Sequence, residues 1–181
     1  MQTIRFNNLE LEEGSSVLDM GCGEGRHTIG LFIEKKINAF GFDLSIDDLN
    51  IARSRLRDFP SVKEDKAACL FGVSNINKLP FAEGAYDSVI CSEVLEHVDS
   101  PEESIRELVR VLKPGGILAL SVPRFLPEWI CWRLSEGYQN MPGGHVRIFK
   151  KNLFFSVYCF SLPILILTTH YNCSGLRVID K

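Results

Sequence analysis

Short apolar runs alternate with amphipathic stretches from Ser16 to Val122, and the alternation predicts the elements one after another. Ser16-Val17-Leu18-Asp19-Met20 is an apolar run ending in glycines, a pattern for a buried strand that feeds a tight loop. Ile29, Phe32, Ile33 and Ile37 then recur at helical spacing and form one apolar stripe. Asn38 to Asp43 reads as a second strand. Ser45 with Asp48 three residues on resembles a capping box, ahead of Leu49, Ala52 and Leu56 on one helix face. Cys69 to Ser74 and Tyr86 to Cys91 are two further strands, separated by the turn-rich stretch Leu79 to Gly84. Ser100, Pro101 and Glu103 make a capping box with proline at the first helical position, followed by Ile105, Leu108, Val109 and Leu112. Lys113-Pro114-Gly115-Gly116 stops that helix, and Ile117 to Val122 is a fifth strand.

Strands alternating with helices require crossover connections, which gives an α/β fold: a doubly wound, mostly parallel sheet with helices on both faces. At 181 residues the chain is sized for one core. Hydrophobic residues make up 45% and charged residues 24%, a globular balance. The net charge of -3 gives no footprint for a nucleic-acid backbone, so nucleic acid is not expected as a partner. Six cysteines are spread without a Cys-x-x-Cys pair, which fits a reducing interior. Residues 1–14 carry no apolar run of signal-peptide type, and the expected location is the cytoplasm. No cluster has metal-ligand spacing, and no metal is expected.

The chemistry is concentrated at the ends of the strands. Asp19-Met20-Gly21-Cys22-Gly23-Glu24-Gly25 lies between strand and helix, where glycines let a ligand approach backbone N–H groups. Its third glycine comes one residue too early for the dinucleotide pattern Gly-x-Gly-x-x-Gly, which counts against a nicotinamide-dependent oxidoreductase. Asp43 ends the second strand roughly 20 residues later, the separation at which a carboxylate accepts from both hydroxyls of a ribose. As a plain helix-flanking Asp it would need no ligand. Glu93, Glu96 and His97 follow the fourth strand, on the side where ligands of open α/β sheets bind.

Taken in order, Val17 to Gly25, Gly41-Phe42-Asp43-Leu44-Ser45, Leu79-Pro80-Phe81, Tyr86-Asp87-Ser88-Val89 and Leu112 to Gly116 resemble successive motifs of class I S-adenosylmethionine-dependent methyltransferases. Leu95-Glu96-His97-Val98 narrows the resemblance to the small-molecule branch that includes ubiquinone-biosynthesis-like enzymes, and the likeness covers about Leu11 to Phe149. It implies a Rossmann-like methyltransferase fold, S-adenosylmethionine as cofactor and a small-molecule acceptor. It also implies that Asp19, Gly21 and Gly23 cradle the methionine part, with Cys22 in the same loop. Asp43 then takes the ribose, with Leu44 beside it. Asn75 and Ile76 stand where the family holds an Asp and an apolar residue at the adenine, and Ser92 completes the cofactor set. The Asn amide oxygen can still accept a bond from the adenine amino group, though Asn75 is also readable as a turn residue ending the third strand. His97 and His145 are the candidate bases, each also readable as an ordinary structural or surface histidine. Trp129 and Trp132 are candidate walls of the acceptor pocket or simple core packing, in a Pro123–Lys151 stretch that reads as a lid. The competing function is a cofactor-binding protein that does not catalyse methyl transfer.

Residues 1–151 form the expected cofactor-binding domain, and 152–181 break the pattern. Leu153 to Leu167 is nearly all apolar, where the family continues with a polar amphipathic helix and an antiparallel strand pair. The sheet is therefore expected to have an incomplete or atypical C-terminal strand pair. Membrane contact through 153–167 is one reading, but 15 residues with an internal proline fall short of the roughly 20 that span a bilayer. An altered reading frame is favoured. A tail foreign to the fold should pack poorly or form a short apolar helix.

Overall fold

Strands β1 (Ser16–Met20) and β2 (Asn38–Asp43) form where the apolar runs place them, followed by β3 (Cys69–Val73) and β4 (Tyr86–Ser92). Helices α1 (Arg26–Lys35), α2 (Ile46–Arg57) and α3 (Pro101–Val111) occupy the amphipathic stretches between them. Strands β5 (Leu112–Pro123) and β6 (Ile164–Thr169) complete the set. The computed structural model describes residues 4, 6–9, 11–59, 67–123, 146–148 and 164–169. The six strands lie in the order β3-β2-β1-β4-β5-β6, and every neighbouring pair is parallel.

Alternation along the strands divides the core between two faces, because successive side chains of a strand point to opposite sides. Leu18, Met20, Val89, Cys91, Leu118 and Leu120 pack on one face with Ile105, Leu108 and Val111 of α3. Val17, Ala39, Ile90 and Ala119 pack on the other with Leu31 and Phe32 of α1, and Leu56 of α2 joins them at the margin. Ile4, Phe6 and Leu9, ahead of β1, are buried in this second cluster. The doubly wound architecture is thus present, with ligand space expected where the strand order reverses, between β1 and β4.

Local details differ from the sequence reading at three places. Ser45 caps α2 as expected, its hydroxyl accepting from Asp48 N–H at 3.2 Å. Ser100 occupies the N-cap of α3 but makes no side-chain cap bond, so the capping box expected with Glu103 does not start that helix. At φ -122° and ψ 75° the backbone lies outside the extended conformation that aims a capping hydroxyl at the helix N–H groups. Proline at the first turn and the Ser104 N–H to Ser100 carbonyl bond take over.

The stop at Lys113–Gly116 is an irregularity inside β5: pairing passes from Tyr86↔Leu112 to Ser88↔Ile117, so the extra residues are looped out. Gly116 is required there, since a Cβ would lie 2.6 Å from the Asp87 carbonyl oxygen. Lastly, Ile164–Thr169 is a strand, not part of a short helix. It pairs with β5 from Leu118↔Ile164 to Pro123↔Thr169, parallel where an antiparallel pair is the family habit. Its run of Ile, Leu and Thr favours extended backbone, and the open edge of β5 supplies a partner. No helix among the described residues is long and apolar enough to cross a membrane.

The connection from β3 to β4 carries no helix and is held instead by α3. Arg110 donates to the carbonyls of Phe81 (2.8 Å) and Leu79 (3.0 Å), and Glu107 accepts from Leu79 N–H at 2.8 Å. Arg110 also grips Glu107 through both carboxylate oxygens. These hydrogen bonds from Arg110 hold the Glu107 carboxyl down to about 2, against an ordinary 4.5. Because the folded state favours the ionised form, the stabilisation is fully present above about pH 4.5 and is lost as pH falls towards 2. Solvent screening of this partly exposed pair trims its size. Glu107→Gln is therefore expected to lower the thermal midpoint at neutral pH. The gap to the unaltered protein should close as pH drops through that window, and a gap independent of pH would show that the ion pair is not its source.

Candidate functional site

Asp19 leaves β1 at the point of strand-order reversal and is 1% exposed. Its Oδ2 accepts from Thr28 Oγ1 at 2.6 Å and Thr28 N–H at 3.1 Å, both from the first turn of α1. Its Oδ1 is buried with no hydrogen-bond partner among the described residues. A buried carboxylate oxygen left in that state is costly and calls for a donor beyond the described residues. Burial raises the Asp19 pKa, opposed by neighbouring His27 and the bonds from Thr28. Burial likewise lowers the His27 pKa, with Asp19, and more weakly Glu93, pulling the other way. His27 itself lies edge-on to Phe6, with ring centroids 6.3 Å apart.

The three loop glycines have left-handed φ angles of 75°, 51° and 80°, but they face different surroundings. A Cβ on Gly21 would collide with the Val94 side chain, and one on Gly25 would lie 2.9 Å from Ala52 and from the Phe71 ring. Only at Gly23 would a Cβ meet nothing within 4 Å. Gly21 and Gly25 are thus glycines because protein packs against them, whereas Gly23 fronts open space. The sequence reading gives Gly21 and Gly23 the same cradling role and leaves Gly25 out of it. The Cys22 thiol is 3.6 Å from the Gly23 carbonyl, and burial pushes its pKa far up, so it acts as a packing group.

Asp43 ends β2 beside this loop. Its Oδ2 accepts from Gly23 N–H at 2.8 Å and its Oδ1 from Ser45 N–H at 2.9 Å. Each oxygen keeps a further lone pair for an incoming hydroxyl. Leu44, next in the chain, is 65% exposed, an apolar surface open to a flat ring. Ser74, just past β3, donates its N–H to the Asp43 carbonyl at 3.2 Å, and its buried hydroxyl has no partner among the described residues. Ser74 was invisible in the sequence, where a serine after a strand carries no signal. Asn75 is exposed and its Oδ1 accepts from Asn77 N–H at 2.9 Å, a turn in which one lone pair remains. Ile76 is 3% exposed and packs into the core with Leu79.

Across the crevice, β4 ends in a hydroxyl chain. Ser92 and Ser121 oxygens are 2.7 Å apart, and Ser121 donates to Glu93 Oε1 at 3.1 Å. His97 follows in a tight turn, its N–H donating to the Val94 carbonyl, with its ring 37% exposed and Nε2 4.0 Å from Glu96 Oε1. Val146 N–H donates to the Glu96 carbonyl at 2.9 Å and Arg147 to the Asp99 carbonyl at 2.7 Å, so 146–148 dock on the same loop. His145, Trp129 and Trp132 lie outside the described residues.

The geometry brings together Asp19, Gly21, Cys22, Gly23, Asp43, Leu44 and Ser92 at one end of the sheet, with His97 at its margin. The methyltransferase-domain family matches residues 18–120. A methyltransferase (GfsG) of Streptomyces halstedii is 31% identical over 74% of this chain and 47% of its own length. A ubiquinone biosynthesis O-methyltransferase of Dechloromonas aromatica is 33% identical over 60% of this chain and 44% of its own. Among solved structures, an S-adenosylmethionine-dependent methyltransferase of Methanosarcina mazei is 30% identical over 63% of this chain and 54% of its own, with a TM-score of 0.54. The chain spans about half the length of these relatives. With the matched region running from β1 into β5 and containing Asp19, the glycine loop, Asp43 and Ser92, the chain belongs to the methyltransferase-domain family.

Proposed function

We propose that the chain binds S-adenosylmethionine at the β1–β4 crevice and transfers its methyl group to an oxygen, nitrogen or carbon of a small molecule. The observation that carries this reading is the buried Oδ1 of Asp19, which has no partner among the described residues, together with the open face of Gly23. An ammonium group, as on the methionine part of the cofactor, would supply the missing donor and offset the burial that disfavours the ionised carboxylate. Asp43 accepts from the ribose hydroxyls with the lone pairs left by Gly23 and Ser45, and Leu44 lies against the base. Asn75 offers its second lone pair to the adenine amino group.

The cofactor supplies an electrophilic methyl whose leaving group is a neutral thioether, so little acid assistance is needed. The chain's part is to hold the acceptor in line and exclude water. Where the acceptor carries a proton, His97 is proposed to take it, and His145 is proposed to approach from the segment docked by Val146. The free thiols Cys22, Cys69 and Cys91 suit the reducing cytoplasm proposed as its location.

Calorimetry with S-adenosylmethionine and S-adenosylhomocysteine tests the reading. Both should bind, and no binding at millimolar concentration overturns it. Cofactor binding without methylation of any acceptor in a metabolite extract would favour the non-catalytic alternative. Gly23→Ala should weaken cofactor binding at least tenfold, since its methyl enters open ligand space, while costing the fold only about 1–2 kcal/mol for a left-handed alanine. Unchanged affinity would show that the open face of Gly23 is not the cofactor's.

A further inference from the structure

Two carboxylates beside the glycine loop are described above, Asp19 bonded to Thr28 and Asp43 to Gly23 and Ser45. Glu93 is another. It is the first residue beyond β4, and its neighbour Val94 packs directly on Gly21, which places it at the lip of the crevice. Its φ of 57° is left-handed, a conformation that long side chains seldom adopt and that marks functional loops when the surroundings enforce it.

Ser121 enforces it at both ends of the residue. Its carbonyl accepts from Glu93 N–H at 2.9 Å, and its hydroxyl donates to Glu93 Oε1 at 3.1 Å. Since that hydroxyl has a single proton, the 2.7 Å contact with Ser92 has Ser92 as donor, and the chain of bonds runs one way, from Ser92 through Ser121 to the carboxylate. Such a chain fixes the position of the acceptor carboxylate. The charge of Glu93 is also felt at His27, behind the glycine loop.

We propose that Glu93 lets this site tell a cationic cofactor from its neutral product, its fixed carboxylate favouring the sulfonium of S-adenosylmethionine over the thioether of S-adenosylhomocysteine. The inference rests on the cofactor reading above and adds a specificity residue to it. An anion in a partly desolvated crevice attracts a sulfonium and does little for a thioether of the same shape, so it biases exchange of spent for fresh cofactor.

The test is calorimetry of the full chain with both ligands, comparing the ratio of the two dissociation constants. Glu93→Gln should weaken S-adenosylmethionine binding about tenfold and leave S-adenosylhomocysteine unchanged. Ser121→Ala, which frees the carboxylate without removing it, should move the ratio the same way by less, and Glu93→Asp should keep most of the preference. An unchanged ratio in Glu93→Gln overturns the proposal, as does an equal loss for both ligands. Should Glu93→Gln lack a cooperative thermal transition, an unchanged ratio in Ser121→Ala overturns it instead. Failure of the unaltered chain to bind either ligand removes the cofactor reading as well, an outcome distinct from the others.

Discussion

Replacing Asp43 by Ala is expected to weaken S-adenosylmethionine binding by about 1.5–3 kcal/mol, roughly tenfold to a hundredfold or more, the scale of lost charge-assisted hydrogen bonds. Two contributions add. The ribose hydroxyls lose their acceptor, and Gly23 N–H and Ser45 N–H lose theirs, so the glycine loop and the start of α2 are no longer tied to β2. Both N–H groups sit near solvent and can be rehydrated, so the thermal midpoint should fall modestly while affinity falls steeply. Asp43→Asn separates the two contributions. It keeps an acceptor for one N–H but loses the charge, and its affinity should lie between the two. Calorimetry beside a melting curve gives both readouts, and an unchanged affinity in Asp43→Ala would remove Asp43 from the ribose site.

That prediction could be framed from sequence because β1 and β2 carry strong local signals. Ser16–Met20 and Asn38–Asp43 are apolar runs closed by glycine or by Asp with a capping serine, so their ends were legible to the residue. Parallel pairing then puts Asp19 and Asp43 on one side of the sheet, since adjacent parallel strands end together. What escaped the sequence depends on contacts between distant segments. The division of labour among Gly21, Gly23 and Gly25 is set by Val94, Phe71 and Ala52, which no spacing rule connects to the loop. The burial of His27 depends on Phe6, 21 positions earlier, and the strained Glu93 on Ser121, 28 positions later. The Ser100 cap failed for a different reason: residue type licensed it, but the backbone leaving His97 arrives with a ψ that misdirects the hydroxyl.

The second large effect concerns the sixth strand. A chain ending at Lys151 is expected to keep its cofactor site and to self-associate. The proposed site draws on the ends of β1, β2, β3 and β4 and on Ser121 of β5, and β5 stands between those strands and β6. Removing β6 leaves that assembly in place. It uncovers the edge of β5 from Leu118 to Pro123, a row of unpaired N–H and carbonyl groups on an apolar strand, with only Pro123 unable to donate. Such an edge recruits a strand from another molecule, so size-exclusion chromatography should show association that deepens with concentration. Adding Lys at position 119 or 121 would not repair it, because Ala119 and Ser121 are fully buried. We propose that residues 152–181 are an altered-frame replacement that happens to supply a strand of suitable composition to this edge, in which case only edge protection, not the fold, depends on them. A truncated chain that binds S-adenosylmethionine like the full chain yet self-associates supports this. Loss of the cooperative thermal transition on truncation would instead make β6 a working part of the core and end the altered-frame reading.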